Sequence, residues 1–219
     1  MMSTVYVALD CTSADEALEM VARIQAQTTS RGYVKRILVI CHDSDCESRV
    51  REKVTSPKVY VWNCNQVHIP KMYIIAMLPV LRFADDSDHP QCSFVWYINC
   101  KLAIQGNFVL DTLLFHGQTD KGQHSMFGFF GYKSGGKNVD PFTMLAESSN
   151  AVEVENLHGT CFMLAGVSLD YIGKTPKPSD EMPEMIVVKG YEGPENREQD
   201  GAMMRWESWE SFHSVKDML

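Results

Sequence analysis

The chain has 219 residues, 45% hydrophobic and 22% charged, with a formal net charge of -8. This composition describes a globular protein with one sizeable core rather than a disordered chain. The acid excess argues against general nucleic-acid binding, which needs a basic face. No run reaches the roughly 18 apolar residues of a membrane span, and no basic-then-apolar signal pattern stands at the N-terminus. The seven cysteines sit singly inside apolar runs, the habit of reduced core residues, so a cytoplasmic setting is expected. Cys41 and Cys46 lack a second pair at metal-ligand spacing, which speaks against zinc.

In chain order, residues 5–9 read as a buried strand ending at Asp10. Ser13 and Glu16 make a capping box, and Leu18, Val21, Ala22 and Ile24 give the helical stripe behind it. Residues 37–40 form a second strand, a charged helix-like or loop segment follows, and residues 59–62 form a third. Strand, helix, strand, weak helix, strand is the order of a mostly parallel sheet with right-handed crossovers. Pro70 opens a helical segment over 71–83 that Pro79 kinks or splits, and 85–90 is a turn. Residues 94–98 are apolar without a break, as in a strand buried on both faces. Polar Asn99, Cys100 and Lys101 end that strand, where open α/β sheets bind ligands. Gly106 and Asn107 punctuate, and Val109, Leu110, Leu113 and Leu114 recur at helical spacing. Residues 126–130, 159–165 and 185–188 read as further strands, and Glu198, Gln199 and Asp200 head a last helix carrying Met203, Met204 and Trp206. No internal repeat and no domain boundary is visible.

Taken in order, these pieces resemble the nucleotide-sugar-dependent glycosyltransferases of the GT-A fold. Residues 5–10 and their capped helix are similar to the family's first nucleotide-binding strand. Residues 95–107, with 110–114 behind them, resemble its strand, Asp-x-Asp metal motif, apolar piece and Gly-Asn-leucine helix. Residues 158–166 resemble the strand that shapes the acceptor side. The run from Tyr191 through Arg197 to Asp200 resembles the acidic motif opening its last core helix. The resemblance implies an α/β chain: a single Rossmann-like GT-A domain over 1–219, with a mostly parallel central sheet of six to seven strands flanked by helices. It implies a nucleotide-binding half, 1–107, and an acceptor-side half, 108–219. It also implies transfer of a sugar from a nucleotide diphosphate, a UDP-sugar, to a hydroxyl of a glycan or protein acceptor. By the same resemblance Leu9, Asp10, Cys11, Asn99 and Lys101 hold the nucleotide. Asp200 is the catalytic carboxylate, Glu198 the runner-up with Gln199 beside it, and His158 and Gly159 lie on the acceptor side.

The departure is at the metal motif, where Asn99-Cys100-Lys101 stands in place of Asp-x-Asp. Two carboxylates there hold Mn2+ or Mg2+, which neutralises the leaving diphosphate. A protonated lysine cannot ligate a metal. Three readings stay open. The Lys101 ammonium replaces the metal as a point charge; or the chain is a catalytically inactive GT-A-like binding or scaffold protein; or the metal motif is Asp86-Ser87-Asp88, with His213 returning as a further ligand.

Overall fold

The computed structural model describes residues 2–64, 94–165, 183–194, 197–205 and 215. Strand β1 (Ser3–Cys11) is buried along its whole length. Its alternating side chains feed two cores: Val5, Val7, Leu9 and Cys11 enter one, and Ala8 the other. Strands β2 (Gly32–Cys41) and β4 (Phe94–Asn99) flank it in parallel, and β3 (Val59–Asn63) lies outside β2. Helix α1 (Ala14–Gln25) crosses back between β1 and β2. Ser13 Oγ accepts the Glu16 N–H at its head, and Ala17, Met20, Val21 and Ile24 line its buried face. Helix α2 (Ser44–Lys53) is capped by Asp43, whose carboxylate accepts the Cys46 N–H, and returns the chain to β3. The parallel order expected from the sequence is therefore present from β3 through β4.

Beyond β4 the sheet changes character. β11 (Cys161–Ala165) pairs antiparallel with β4, and β6 (Ser125–Gly128) antiparallel with β11. β12 (Glu184–Val188) then runs parallel to β6, and β9 (Ala151–Val154) closes the edge antiparallel to β12. The order is β3-β2-β1-β4-β11-β6-β12-β9. The sheet is thus mixed and eight-stranded, not a mostly parallel one of six to seven strands. A parallel neighbour needs a crossover of a dozen or more residues, usually a helix. Between β6 and β11 the chain is long enough for a crossover but goes into short strands and the five-residue helix Pro141–Leu145, with no long crossover helix.

Helix α3 (Val109–Gly117) buries Val109, Leu110, Leu113 and Leu114, as their spacing implies. Two small sheets complete the described part. β7 (Gly131–Lys133), β8 (Lys137–Val139) and β10 (Asn156–Leu157) form one; β5 (Ala103–Gln105) and β13 (Met203–Arg205) form the other. Among the described residues, 198–205 do not form the start of the helix expected from the sequence, and Trp206 lies outside them. Residues 198–200 make a single 3-10 turn, Gly201 interrupts, and Met203 and Met204 pair with β5 as strand. Gly106 has a φ of 78°, and a Cβ there would lie 1.9 Å from the Gly201 carbonyl oxygen. Only a glycine at 106 lets these backbones touch. The expected helix at 71–83 and turn at 85–90 lie outside the described residues.

Candidate functional site

Asp10 on β1 and Asn99 on β4 are register partners at the carboxyl ends of neighbouring parallel strands. The next strand in sequence after β1 lies on one side of it and β4 on the other, so the order reverses here. Such a switch point opens a crevice for ligands. Asp10 is only 2% exposed. The Tyr97 hydroxyl donates to its Oδ2 at 2.7 Å, and His42 Nε2 meets its Oδ1. A buried carboxylate held from both sides in this way keeps a fixed orientation. Burial, then the adjacent Asp10 charge, pushes the Tyr97 hydroxyl well above its ordinary pKa. Asn99 is half-buried and its Oδ1 accepts the Lys101 N–H at 3.0 Å, while the Lys101 side chain is exposed. Asp10 and the Asn99–Lys101 triplet are thus brought together. Leu9 and Cys11, expected beside them, are fully buried and point into the core under the helices, so their side chains do not line this edge.

Cysteines gather on both faces of the same edge. Under the helices, Cys41 and Cys46 have their sulfurs 3.1 Å apart, and the Cys100 thiol donates to Glu16 at 3.3 Å. Cys41 and Cys46 are pushed up chiefly by burial, and Cys11 is raised by its hydrogen bond with Cys100 and then by burial. That bond lowers Cys100. On the opposite face the half-buried Cys64 has its Sγ 3.3 Å from His42 Nδ1, and its N–H donates to the Cys41 carbonyl at 2.9 Å. Sequence reasoning passed over His42 and Cys64. The signal was there: each is the first residue past the carboxyl end of a parallel strand, the position it used to select the Asn99 triplet.

Residues 198–200 lie elsewhere. The Asn107 N–H donates to the Gln199 carbonyl at 2.7 Å, and the Asn107 carbonyl accepts the Thr28 N–H at 2.7 Å. Gln27 Nε2 donates to the Gly106 carbonyl at 3.0 Å. These bonds tie the turn to the C-terminal end of α1, whose twelve residues span about 18 Å. Asp10 and Asn99 stand at the other end, so the structure does not bring the two groups into one cleft. Asp200 is half-buried, 3.7 Å from Arg197, and the Glu198 backbone opens the turn. Burial raises the Tyr191 hydroxyl, helped by Asp111 and Asp200. A cleft of about 820 Å³ opens here, lined in part by Arg23, Gln27, Ile104, Tyr191, Gln199 and Arg205.

His158 is fully buried, its Nδ1 2.6 Å from Thr160 Oγ1 and its ring edge-on to Phe130; Gly159 beside it is buried too. Neither faces an acceptor surface. Asp86, Asp88 and His213 lie outside the described residues. Among the described residues, no group of three or more His, Cys, Asp and Glu side chains is placed to hold a metal ion. The donors at the carboxyl edge fit one poorly: the Asp10 carboxylate is held by Tyr97 and His42, the Asn99 oxygen takes a backbone N–H, and Lys101 adds positive charge. No helix among the described residues is long and apolar enough to cross a membrane. No family model and no curated protein matches the chain.

Proposed function

We propose that the carboxyl edge of β1 and β4 binds the diphosphate of a nucleotide sugar and that the chain is a glycosyltransferase of the GT-A type. The observation that carries this reading is the register of Asp10 against Asn99 where the strand order reverses. Exposed Lys101, one turn beyond, supplies the point charge that a divalent ion supplies in metal-dependent members. In the transfer, the acceptor hydroxyl oxygen bonds to the anomeric carbon as the bond from that carbon to the diphosphate oxygen breaks. Lys101 stabilises the charge gathering on the leaving diphosphate, and a carboxylate takes the hydroxyl proton. By resemblance that carboxylate is Asp200, with Glu198 and Gln199 beside it, a role that requires the 198–200 turn to leave its place at the far end of α1; the donor is a UDP-sugar, and the acceptor a glycan or protein hydroxyl.

The test is titration with UDP, GDP and CMP, each with manganese and with EDTA. UDP binding that EDTA leaves unchanged is the expected result. Binding of no nucleotide under any condition ends the reading. Binding lost in EDTA would transfer the diphosphate role to a metal, with Asp86, Asp88 and His213 as the ligands to examine.

A second reading, a catalytically inactive binding or scaffold protein on the same fold, is favoured by the position of Gln199 and Asp200 at the far end of α1. Asp200→Asn separates the two. Under the transferase reading it abolishes sugar transfer and spares UDP binding. Under the second reading neither parent nor variant transfers sugar.

A further inference from the structure

We infer that Cys64, His42 and Asp10 form a nucleophilic thiol site that accepts acyl groups from thioesters or activated esters. The three residues come from the ends of three adjacent parallel strands: Asp10 from β1, His42 just past β2 and Cys64 just past β3. Register makes them meet. Cys11 and Cys41 are partners across β1 and β2 and point under the helices, so the residue on either side of each points to the opposite face. That face also carries Ile40 and Tyr97, members of the cluster against which Cys64 packs. A slip of one residue in β2 would bury His42 under α1 and α2.

The proton order follows from the chemistry of the groups. An ionised carboxylate only accepts, so the His42 Nε2–H donates to Asp10 Oδ1. That tautomer leaves the Nδ1 lone pair facing the Cys64 sulfur at 3.3 Å. Asp10 is itself oriented by the Tyr97 hydroxyl on Oδ2. The result is a thiol, a base within reach of it, and a third group fixing the base, the general arrangement of an activated nucleophile. Unlike the fully buried Cys11 and Cys41, Cys64 is half-buried, and the His42 side chain is 40% exposed. In the step itself the Cys64 thiol gives its proton to His42 Nδ1. The thiolate sulfur bonds to the acyl carbon, and the bond from that carbon to the leaving thiol or alcohol breaks. The leaving group takes the proton back from Nδ1, so the products are S-acyl-Cys64 and a free thiol or alcohol. Asp10 is a positioning residue: it holds the ring and stabilises the imidazolium. Among the described residues, the titratable groups facing His42 are Asp10 from β1, Cys64 from the end of β3 and, behind Asp10, Tyr97 from β4.

The probe is p-nitrophenyl acetate on the full chain, followed by nitrophenolate release and by mass spectrometry of the cysteine peptides. The expected result is a burst of about one equivalent with the acetyl group on Cys64, slowed roughly 100-fold in His42→Gln, the range of general-base contributions. Asp10→Asn is expected to move the pH at which the burst appears upward, because the imidazolium that supports the thiolate loses its neighbouring charge. A purely architectural role for Asp10 would leave that pH unchanged. No burst, acetylation of Cys100 or of the thiols indiscriminately, or an unchanged rate in His42→Gln overturns the inference. The labelling pattern of the parent protein decides the matter even where a variant does not fold. The readout involves no nucleotide, so its outcome is independent of the UDP titration.

Discussion

The carboxyl edge of the parallel strands and the cleft between α1, β5 and β13 divide what a binding site usually combines. The edge concentrates chemistry: a buried carboxylate, a tyrosine and an imidazole on that carboxylate, and a thiol on the imidazole. The cleft, about 820 Å³, has the size of a ligand pocket. Its arginines, however, are already engaged, Arg23 with the Ile104 carbonyl at 3.0 Å as well as with a carboxylate. Arg23 pairs with Glu19 at 2.9 Å and Arg205 approaches Glu192 at 4.0 Å, all four well exposed. Exposed pairs of this kind are worth little and leave a groove without a directed charge. Space alone would place function in the cleft, whereas held orientation and burial place it at the edge. The edge is the stronger candidate, because catalysis and recognition draw on fixed polar groups more than on open volume.

The largest expected contrast between the two is in stability. Leu9→Ala, next to Asp10 on β1 and fully buried, is expected to cost about 2–5 kcal/mol in urea denaturation. Arg23→Ala in the cleft should cost about 1 kcal/mol or less. Equal losses would mean that the cleft is as much a part of the framework as the edge. Next in size is ligand affinity. Lys101→Ala should weaken UDP binding by about 10- to 100-fold by calorimetry, the value of a charge-assisted contact. Arg205→Ala should leave it within about 2-fold; the opposite pattern would move the nucleotide into the cleft. The smallest effect concerns acid. Half-buried His116 on α3 is held below its ordinary pKa of 6.5 by burial. Its folded-state pKa is the lower one, so its contribution is complete above pH 6.5 and declines below it as the unfolded chain takes up the proton. His116→Gln should flatten that part of the decline in Tm between pH 7.5 and 5.5. A decline left unchanged would assign the acid sensitivity to other groups.

Much of the first half of the fold is legible in the sequence, for a physical reason. Parallel strands buried on both faces must be continuous apolar runs, and residues 5–9, 37–40 and 94–98 are such runs. The first and last of these ends are sharp because a polar residue follows the apolar run, which made Asp10 and Asn99 visible as neighbours. The second half is harder to read. Its strands are short and reverse direction, and β7, β8 and β10 together hold eight residues. Residues 198–205 misled because acids followed by two methionines suit a helix, while the pairing with β5 that decides the matter is set by distant residues. His42 and Cys64 were missed because each is unremarkable alone. Only the register of three strands makes them partners.

That register has a counterpart in time. Gln105 and Met203 are register partners separated by about a hundred residues of chain, so β5 closes the longest loop among the described pairings. Contacts this remote are entropically late. The parallel strands that gather Asp10, His42 and Cys64 rely on nearer partners, and can assemble while β5 still waits for its mate. The thiol edge is therefore expected to be the older structure in each folding event, and the groove beside α1 the last surface to take shape.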